Sequence, residues 1–289
     1  MKNMVTRFAP SPTGRLHLGH AYSALLAHRF ARENGGAFLL RIEDIDPGRS
    51  RPEHVDGILE DLAWLGISFD GEIVYQSERL DLYAGALERL KERGLLYPCF
   101  CTRSAIAAEV GASAAAPHDG VAPAYPGTCR RLSPAERAAR VESLPHAWRL
   151  DMARAEAECG PLFWEDGGKR IEAEPGFFGD VVLARKDAPT SYHLAVTIDD
   201  AAQGITDVVR GRDLFEATHL HRLLQHLLNL PSPRYYHHHL LLGADGKRLA
   251  KRSGAPTLAS LREAGVDPAR LADDLLSGRL PAGYSAAEA

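Results

Sequence analysis

A glycine- and proline-rich stretch near the N-terminus carries two histidines that could contact phosphate. Residues 7–14 read RFAPSPTG, and His17 and His20 follow within the tetrapeptide HLGH. Backbone N–H groups at a helix start favour anions, and side chains three positions apart share one helical face. We therefore expect His17 and His20 to face a triphosphate, with Gly19 leaving room for a nucleotide base. Taken alone, the tetrapeptide is equally compatible with an incidental turn or a metal pair.

A second candidate for phosphate chemistry is the basic loop at 246–252, which reads GKRLAKR. A glycine-flanked loop that carries cations suits a segment that closes over charge developing during phosphoryl chemistry. Such a run, by itself, is more often a solvated loop. Together with the N-terminal motif, we interpret it as functional.

Three of the four cysteines form a candidate metal site. Cys99, Cys101 and Cys129 lie close in sequence, in a segment rich in alanine, glycine and proline. Three thiolates and a fourth ligand can bind Zn²⁺ tetrahedrally, and a metal can organise a segment too small to form its own core. On chemistry alone His118 is a candidate fourth ligand. The alternative is free cysteines in a loop, and Cys159 is interpreted as unpaired and inert.

Hydrophobic periodicity predicts the elements that must position these groups. A strand at 6–9, a helix at 18–32 and a strand at 37–42 form a βαβ unit, which predicts a parallel sheet with a right-handed crossover. Further helices are predicted at 52–65, 79–94, 134–141, 213–228 and 258–276, and further strands at 147–153, 180–184, 192–198 and 235–242. The run His237, His238, His239 alternates within the last strand and is interpreted as structural.

Composition limits the class of protein. The chain has 289 residues, of which 45% are hydrophobic and 25% charged, as in an ordinary globular protein of one or two domains. The net charge of −4 argues against a protein that coats nucleic acid non-specifically, although a local basic face is compatible with it. No apolar run is long enough for a membrane span. The N-terminus lacks the apolar region of a secretory signal, which predicts a cytoplasmic protein.

The motifs together resemble a known family. RFAPSPTG, HLGH and the segment RIEDID at 41–46 resemble, in order and spacing, the signature of class I glutamyl-tRNA synthetases. The loop at 246–252 resembles the KMSKS loop of that class, and Lys251 is the retained lysine. The departures from the KMSKS pattern are Arg248, Leu249, Ala250 and Arg252. The resemblance implies ATP with Mg²⁺ as a substrate, and His17, His20 and Lys251 as catalytic and ATP-binding residues.

The resemblance also implies a pocket for L-glutamate. Glutamate carries two carboxylates and one ammonium, so a selective pocket needs guanidinium groups and an acid. The residues that match the glutamate-binding positions of the family are Arg7, Ala9, Ser11, Glu43, Tyr192 and Arg210. In the implied reaction the glutamate α-carboxylate attacks the α-phosphorus of ATP, and the adenylate is then attacked by a hydroxyl of an RNA.

The expected fold is α/β, with a Rossmann-type catalytic domain interrupted by an inserted zinc-containing module. We expect the first half of the catalytic domain at 1–94, the insert at 95–190, the second half at 191–252 and a short helical segment at 253–289. That last segment is too short for a separate anticodon-reading domain. A monomer is expected.

The cysteine spacing and the short final segment resemble the shortened paralogues of these synthetases. That resemblance implies one structural Zn²⁺ bound by Cys99, Cys101, Tyr125 and Cys129. It also implies that the acceptor is queuosine at the wobble position of tRNA(Asp). The alternatives are a truncated enzyme that charges the 3′ end of tRNA(Glu), a non-catalytic RNA-binding relative, and a generic nucleotidyltransferase.

Overall fold

The computed structural model describes residues 4–102, 104–106, 125–243, 246, 249, 256–280 and 284–287. The helices in these ranges include α1 (Leu18–Glu33), α2 (Pro52–Trp64), α3 (Leu80–Glu92), α4 (Pro134–Ser143), α5 (Met152–Ala157), α6 (Tyr192–Ala202), α7 (Ala217–Leu227), α8 (Leu258–Glu263) and α9 (Pro268–Leu276). The strands include β1 (Val5–Phe8), β2 (Ala37–Ile42), β3 (Val74–Tyr75), β4 (Leu96–Cys99), β5 (Ala147–Leu150), β6 (Phe163–Asp166), β7 (Lys169–Glu172), β8 (Val182–Ala184), β9 (Asp207–Gly211), β10 (Arg234–His238), β11 (Leu241–Leu242) and β12 (Ser285–Ala286). Within the described ranges, no helix has the length and apolar character needed to cross a membrane.

Parallel strands from two adjoining sheets form the centre of the molecule. β1 pairs in parallel with β2, and β2 with β3, so the predicted βαβ opening is confirmed. β9 pairs in parallel with β10. The two sets of strands adjoin where the Thr206 N–H donates to the Val5 carbonyl oxygen at 2.9 Å. The two sheets therefore lie edge to edge, with these strands in the spatial order β3-β2-β1-β9-β10.

The order of the strands reverses between β1 and β9. From β1 the chain passes through α1 to β2 on one side, and from β9 it passes through α7 to β10 on the other. In open α/β sheets, ligands bind in the crevice at the carboxyl ends of the strands where the order reverses. The topology therefore predicts a ligand-binding site at the residues that follow Phe8 and Val209.

The interval 95–190 builds a sheet of its own and also extends the parallel one. β4, β5 and β8 form an antiparallel sheet with Leu150 and Leu183 in its core. The β6–β7 hairpin instead continues the sheet beyond β10, because Asp166 of β6 pairs with Tyr235 of β10. The interval 95–190 is thus joined to the strand that precedes the second phosphate-binding candidate.

One strand prediction was wrong, and a second extended too far toward the C-terminus. Residues 192–198 lie in α6, which begins after Ser191, whose side chain accepts a hydrogen bond from the Leu194 N–H. This helix is buried on nearly all sides from Leu194 to Asp200, so it shows no polar face that would reveal a helical period. The strand predicted at 147–153 ends at Leu150, because Asp151 caps α5.

The final helices pack against the first half of the chain. Leu258, Leu271 and Leu275 are buried in the same core as α1 and β2. Arg262 of α8 forms ion pairs with Asp61 at 2.9 Å and with Glu60 at 3.0 Å. The Leu258 N–H also donates to the Leu16 carbonyl oxygen at 2.9 Å, which places the start of α8 beside the N-terminal motif.

Candidate active site

A cleft of about 580 Å³ opens where the strand order reverses. Its walls come from the loop after β1, the start of α1, α6, and the end of β9. The residues predicted to bind glutamate and ATP that line it are Arg7, Ala9, Ser11, His17, Gly19, His20, Glu43, Tyr192 and Arg210. Residues far apart in sequence are thus brought to a single cleft. Lys251 lies outside the described residues.

A buried charge network holds Arg7 at one side of the cleft. The Arg7 Nε lies 3.0 Å from Asp200 Oδ1, and Arg41 Nη2 lies 2.8 Å from the same oxygen. Burial opposes ionisation of Asp200, yet the two guanidinium groups hold its pKa below the ordinary value. Asp200 therefore fixes Arg7 in place by a two-pronged contact. Asp200 was not among the residues predicted from the sequence, although two successive acids end an apolar stretch there.

Glu43 is the buried acid of the cleft. Its Oε1 lies 3.5 Å from Arg41 Nη2. Burial raises the pKa of Glu43 to about 7, against the lowering influence of Arg41 and Arg7. Burial likewise raises the pKa of Tyr192 to about 12, so its hydroxyl keeps its proton and can donate a hydrogen bond. The cleft thus offers an acid for an ammonium group beside guanidinium groups for carboxylates.

The two histidines of the HLGH motif cap α1 with their rings. The His17 Nδ1 accepts from the Gly19 N–H at 3.1 Å, and the His20 Nδ1 accepts from the His17 N–H at 3.1 Å. The ring centroids lie 3.8 Å apart. Because each Nδ1 accepts, the proton of each neutral ring is on Nε2. A side chain at Gly19 would begin 3.1 Å from the His17 ring, so glycine keeps this turn open.

Described residues on both sides of the basic loop lie near this motif: Leu241 lines the cleft before it, and Thr257 follows it. Leu249 lines the cleft, and its N–H donates to the Leu241 carbonyl oxygen at 3.1 Å. Beyond the loop, Thr257 pairs with His17 in an isolated bridge. His238 and His239, which we interpreted as structural, also line the cleft. Alternation within a strand predicts which face of the sheet a side chain lies on, but not what packs against that face.

A separate cluster contains the predicted zinc ligands. The sulfur atoms of Cys99, Cys101 and Cys129 all lie within 4.8 Å of one another. Cys101 Sγ is 3.5 Å from Cys129 Sγ and 3.5 Å from the Tyr125 hydroxyl. Sulfur atoms that share a tetrahedral zinc at about 2.3 Å lie about 3.8 Å apart. The donor set therefore fits Zn²⁺, while the competing ligand His118 lies outside the described residues.

Comparison with known proteins identifies the family. Residues 3–277 match the model for the catalytic domain of class I tRNA synthetases of the E and Q type. The chain belongs to this family. Aminoacyl-tRNA synthetases are ligases, so the predicted class of enzyme and the mixed α/β class I catalytic domain are confirmed.

The similar proteins include short and long members of the family. The glutamyl-Q tRNA(Asp) synthetase of Rhodobacter capsulatus is 50% identical, over 92% of this chain and 97% of that protein. The protein of the same name from Symbiobacterium thermophilum is 48% identical, over 91% of this chain and 82% of that protein. These relatives confirm the predicted resemblance to the shortened paralogues.

The similar solved structures are longer proteins. The glutamate-tRNA synthetase of Elizabethkingia anophelis has a TM-score of 0.73 at 32% identity, over 89% of this chain and 55% of that one. A glutamate tRNA ligase of Elizabethkingia meningosepticum, solved in complex with its amino acid, has a TM-score of 0.73 at 31% identity, over 89% of this chain and 54% of that one. The chain therefore spans about half the length of these synthetases.

Proposed function

We propose that the chain activates L-glutamate with ATP and transfers the glutamyl group to queuosine at the wobble position of tRNA(Asp). The observation that carries the first step is the convergence of Arg7, Glu43 and Arg210 on the cleft that also contains His17 and His20. The acceptor is supported by the names of relatives that match this chain over most of their own length. A monomeric state and a cytoplasmic location stay predictions.

Positioning and charge supply the chemistry of the activation step. The guanidinium groups of Arg7 and Arg210 bind the carboxylates of glutamate, and Glu43 binds its ammonium. The Nε2–H groups of His17 and His20 donate to phosphate oxygens as the α-carboxylate attacks the α-phosphorus and pyrophosphate leaves. Mg²⁺ that arrives with ATP neutralises part of the triphosphate charge. Lys251, in the basic loop, is proposed to stabilise the same transition state.

The transferred group then meets an RNA hydroxyl at the cleft. Sequence-specific RNA recognition favours unstacked bases in loops, and the anticodon loop offers such bases. A second cavity of about 370 Å³ shares Ser11, Glu43 and Tyr192 with the active-site cleft. We propose that an incoming hydroxyl approaches the adenylate from the side of this second cavity.

The cysteine cluster is proposed to hold one structural Zn²⁺. Cys99, Cys101 and Cys129 would supply thiolates and Tyr125 the fourth ligand. Closed four-ligand sites are the usual form of structural zinc. Such an ion would join β4 to the turn that contains Cys129.

A transfer assay with labelled glutamate tests the proposed acceptor. We expect labelling of queuosine-containing tRNA(Asp) but not of unmodified tRNA(Asp). A pocket that hydrogen-bonds the ring hydroxyls leaves its own polar groups unpaired when those hydroxyls are missing. Removing the 3′-terminal adenosine should not reduce this labelling. Unmodified tRNA(Asp) and tRNA(Glu) serve as controls. Equal labelling of the unmodified tRNA, or loss of label with the terminal adenosine, would place the acceptor elsewhere.

Glutamate binding should weaken as the pH falls through the pKa of Glu43. The pKa of about 7 means that the carboxylate predominates above pH 7 and the neutral acid below it. If the ammonium binds the carboxylate, the apparent dissociation constant for glutamate should rise toward about tenfold per pH unit below pH 7. Calorimetry without ATP measures this and avoids titration of the phosphates. Glu43→Gln should bind weakly with no such slope, and a flat wild-type profile from pH 5.5 to 8.5 would contradict the assignment.

A further inference from the structure

Several hydrogen-bond acceptors hold the guanidinium group of Arg210 in place. The residue is 5% exposed, at the end of β9. Its Nη2 donates to the Thr218 hydroxyl at 2.7 Å and to the Leu214 carbonyl oxygen at 3.0 Å. Its Nε donates to His237 Nε2 at 3.1 Å. The direction in which the guanidinium faces the cleft therefore depends on His237 as well as on α7.

The contact with Arg210 fixes the tautomer of His237. A guanidinium nitrogen can only donate, so His237 Nε2 must accept and the ring proton lies on Nδ1. That Nδ1 lies 2.8 Å from Asp166 Oδ1. The His237 side chain is fully buried. Burial and the neighbouring Arg210 lower its pKa to about 4, against the raising effect of Asp166, so the ring is neutral at pH 7.

Asp166 belongs to β6, within the interval 95–190, and not to β1 or β9, whose ends line the cleft. It is the last residue of β6 and pairs with Tyr235 of β10. The same carboxylate oxygen that meets the ring also accepts the His237 backbone N–H at 3.1 Å. Both ring and backbone of His237 are thus tied to one oxygen. With 17% of its side chain exposed, Asp166 lies on the wall of a cavity of about 310 Å³ outside the active-site cleft.

We propose that Asp166 and His237 are positioning residues for Arg210, and through it for the substrate carboxylate that this guanidinium binds. The inference rests on the proposed function. Without an acceptor at Asp166, the imidazole can move its proton to Nε2 and present a donor to the Arg210 Nε–H. Two donors cannot share a hydrogen bond, so the guanidinium would lose one of its anchors. A buried orienting partner of this kind acts on a substrate-binding group without touching the substrate.

The test compares Asp166→Ala and Asp166→Asn with Glu165→Ala. Glu165 is the neighbouring carboxylate on β6 and lies on the opposite face of that strand. Loss of outer-shell partners at metal sites costs roughly 10- to 100-fold, and we expect Asp166→Ala to raise the KM for glutamate by a similar factor in ATP–pyrophosphate exchange. The KM for ATP should stay unchanged. Asp166→Asn should keep most of the affinity, because its amide oxygen can still accept from Nδ1–H.

The outcomes separate this inference from the proposed function. Wild-type protein without glutamate-dependent exchange would refute the proposed function itself. An active wild type in which Asp166→Ala matches Glu165→Ala would overturn the inference. Equal rises in the KM for glutamate and for ATP would mark Asp166 as merely structural and would also overturn it. If Asp166→Ala does not fold, His237→Gln and His237→Phe repeat the comparison, since only glutamine offers Arg210 an acceptor, and equal KM values for glutamate in the two would overturn the inference.

Discussion

Arg210→Ala should reduce glutamate-dependent ATP–pyrophosphate exchange by roughly 30- to several-thousand-fold, because truncating a buried charged partner costs roughly 2–5 kcal/mol. Glu43→Ala should cause a loss of the same order. Both side chains are nearly fully buried in the cleft, where water cannot replace them. ATP binding, measured separately by calorimetry, should change much less, since neither group is assigned to the phosphates.

Arg212→Ala is the matched control for this experiment. Arg212 lies two residues from Arg210 but is exposed, with its guanidinium over the Phe215 ring. It should retain near-normal exchange. Near-normal kinetics in Arg210→Ala or Glu43→Ala would show that the amino acid binds elsewhere. A parallel loss of ATP binding and of thermal stability would point to misfolding of the cleft.

Removal of zinc should lower thermal stability sharply. Structural zinc contributes about 10–16 kcal/mol in zinc-finger peptides, and a whole domain is stable by only about 5–15 kcal/mol. Even a fraction of the metal contribution is therefore large. Freshly purified protein should contain one zinc per chain, and a chelator should lower the Tm. Cys101→Ser should do the same, because it removes one of the proposed ligands.

Cys159→Ser provides the control for the metal prediction. Its thiol lies outside the cluster and donates to the Ala155 carbonyl oxygen at 3.1 Å. This variant should keep both the zinc and the Tm of the wild type. Zinc content far below one per chain, or a Tm that the chelator leaves unchanged, would refute a structural metal.

Local patterns predicted the parts of the fold that depend on local chemistry. The strand, helix and strand of the first 42 residues were predictable because the helix is partly exposed. Its apolar residues therefore recur at helical spacing, unlike those of the buried strands on either side. The helix α6 was not predicted, since a helix buried on nearly all sides has no exposed polar stripe to contrast with an apolar one. Side-chain alternation there resembled a strand.

The candidate site was likewise predictable only in part. Arg7 and Glu43 were identifiable through motifs, but Asp200, which pairs with Arg7, is far from it in sequence and lies in the mispredicted helix. The link from Arg210 through His237 to Asp166 depends on the pairing of β10 with β6. Single-sequence periodicity contains no information on which strands become neighbours. Such supporting contacts become visible only when the tertiary structure is known.

The imidazole caps of α1 have a thermodynamic consequence for nucleotide binding. His17 and His20 receive backbone hydrogen bonds that fix both rings before any ligand arrives. The loss of side-chain rotational entropy occurs during folding, so ordering the rings does not subtract from the affinity for ATP. The same arrangement couples two properties that usually vary independently. A substitution at either position alters the stability of the first helix together with the chemistry at its end.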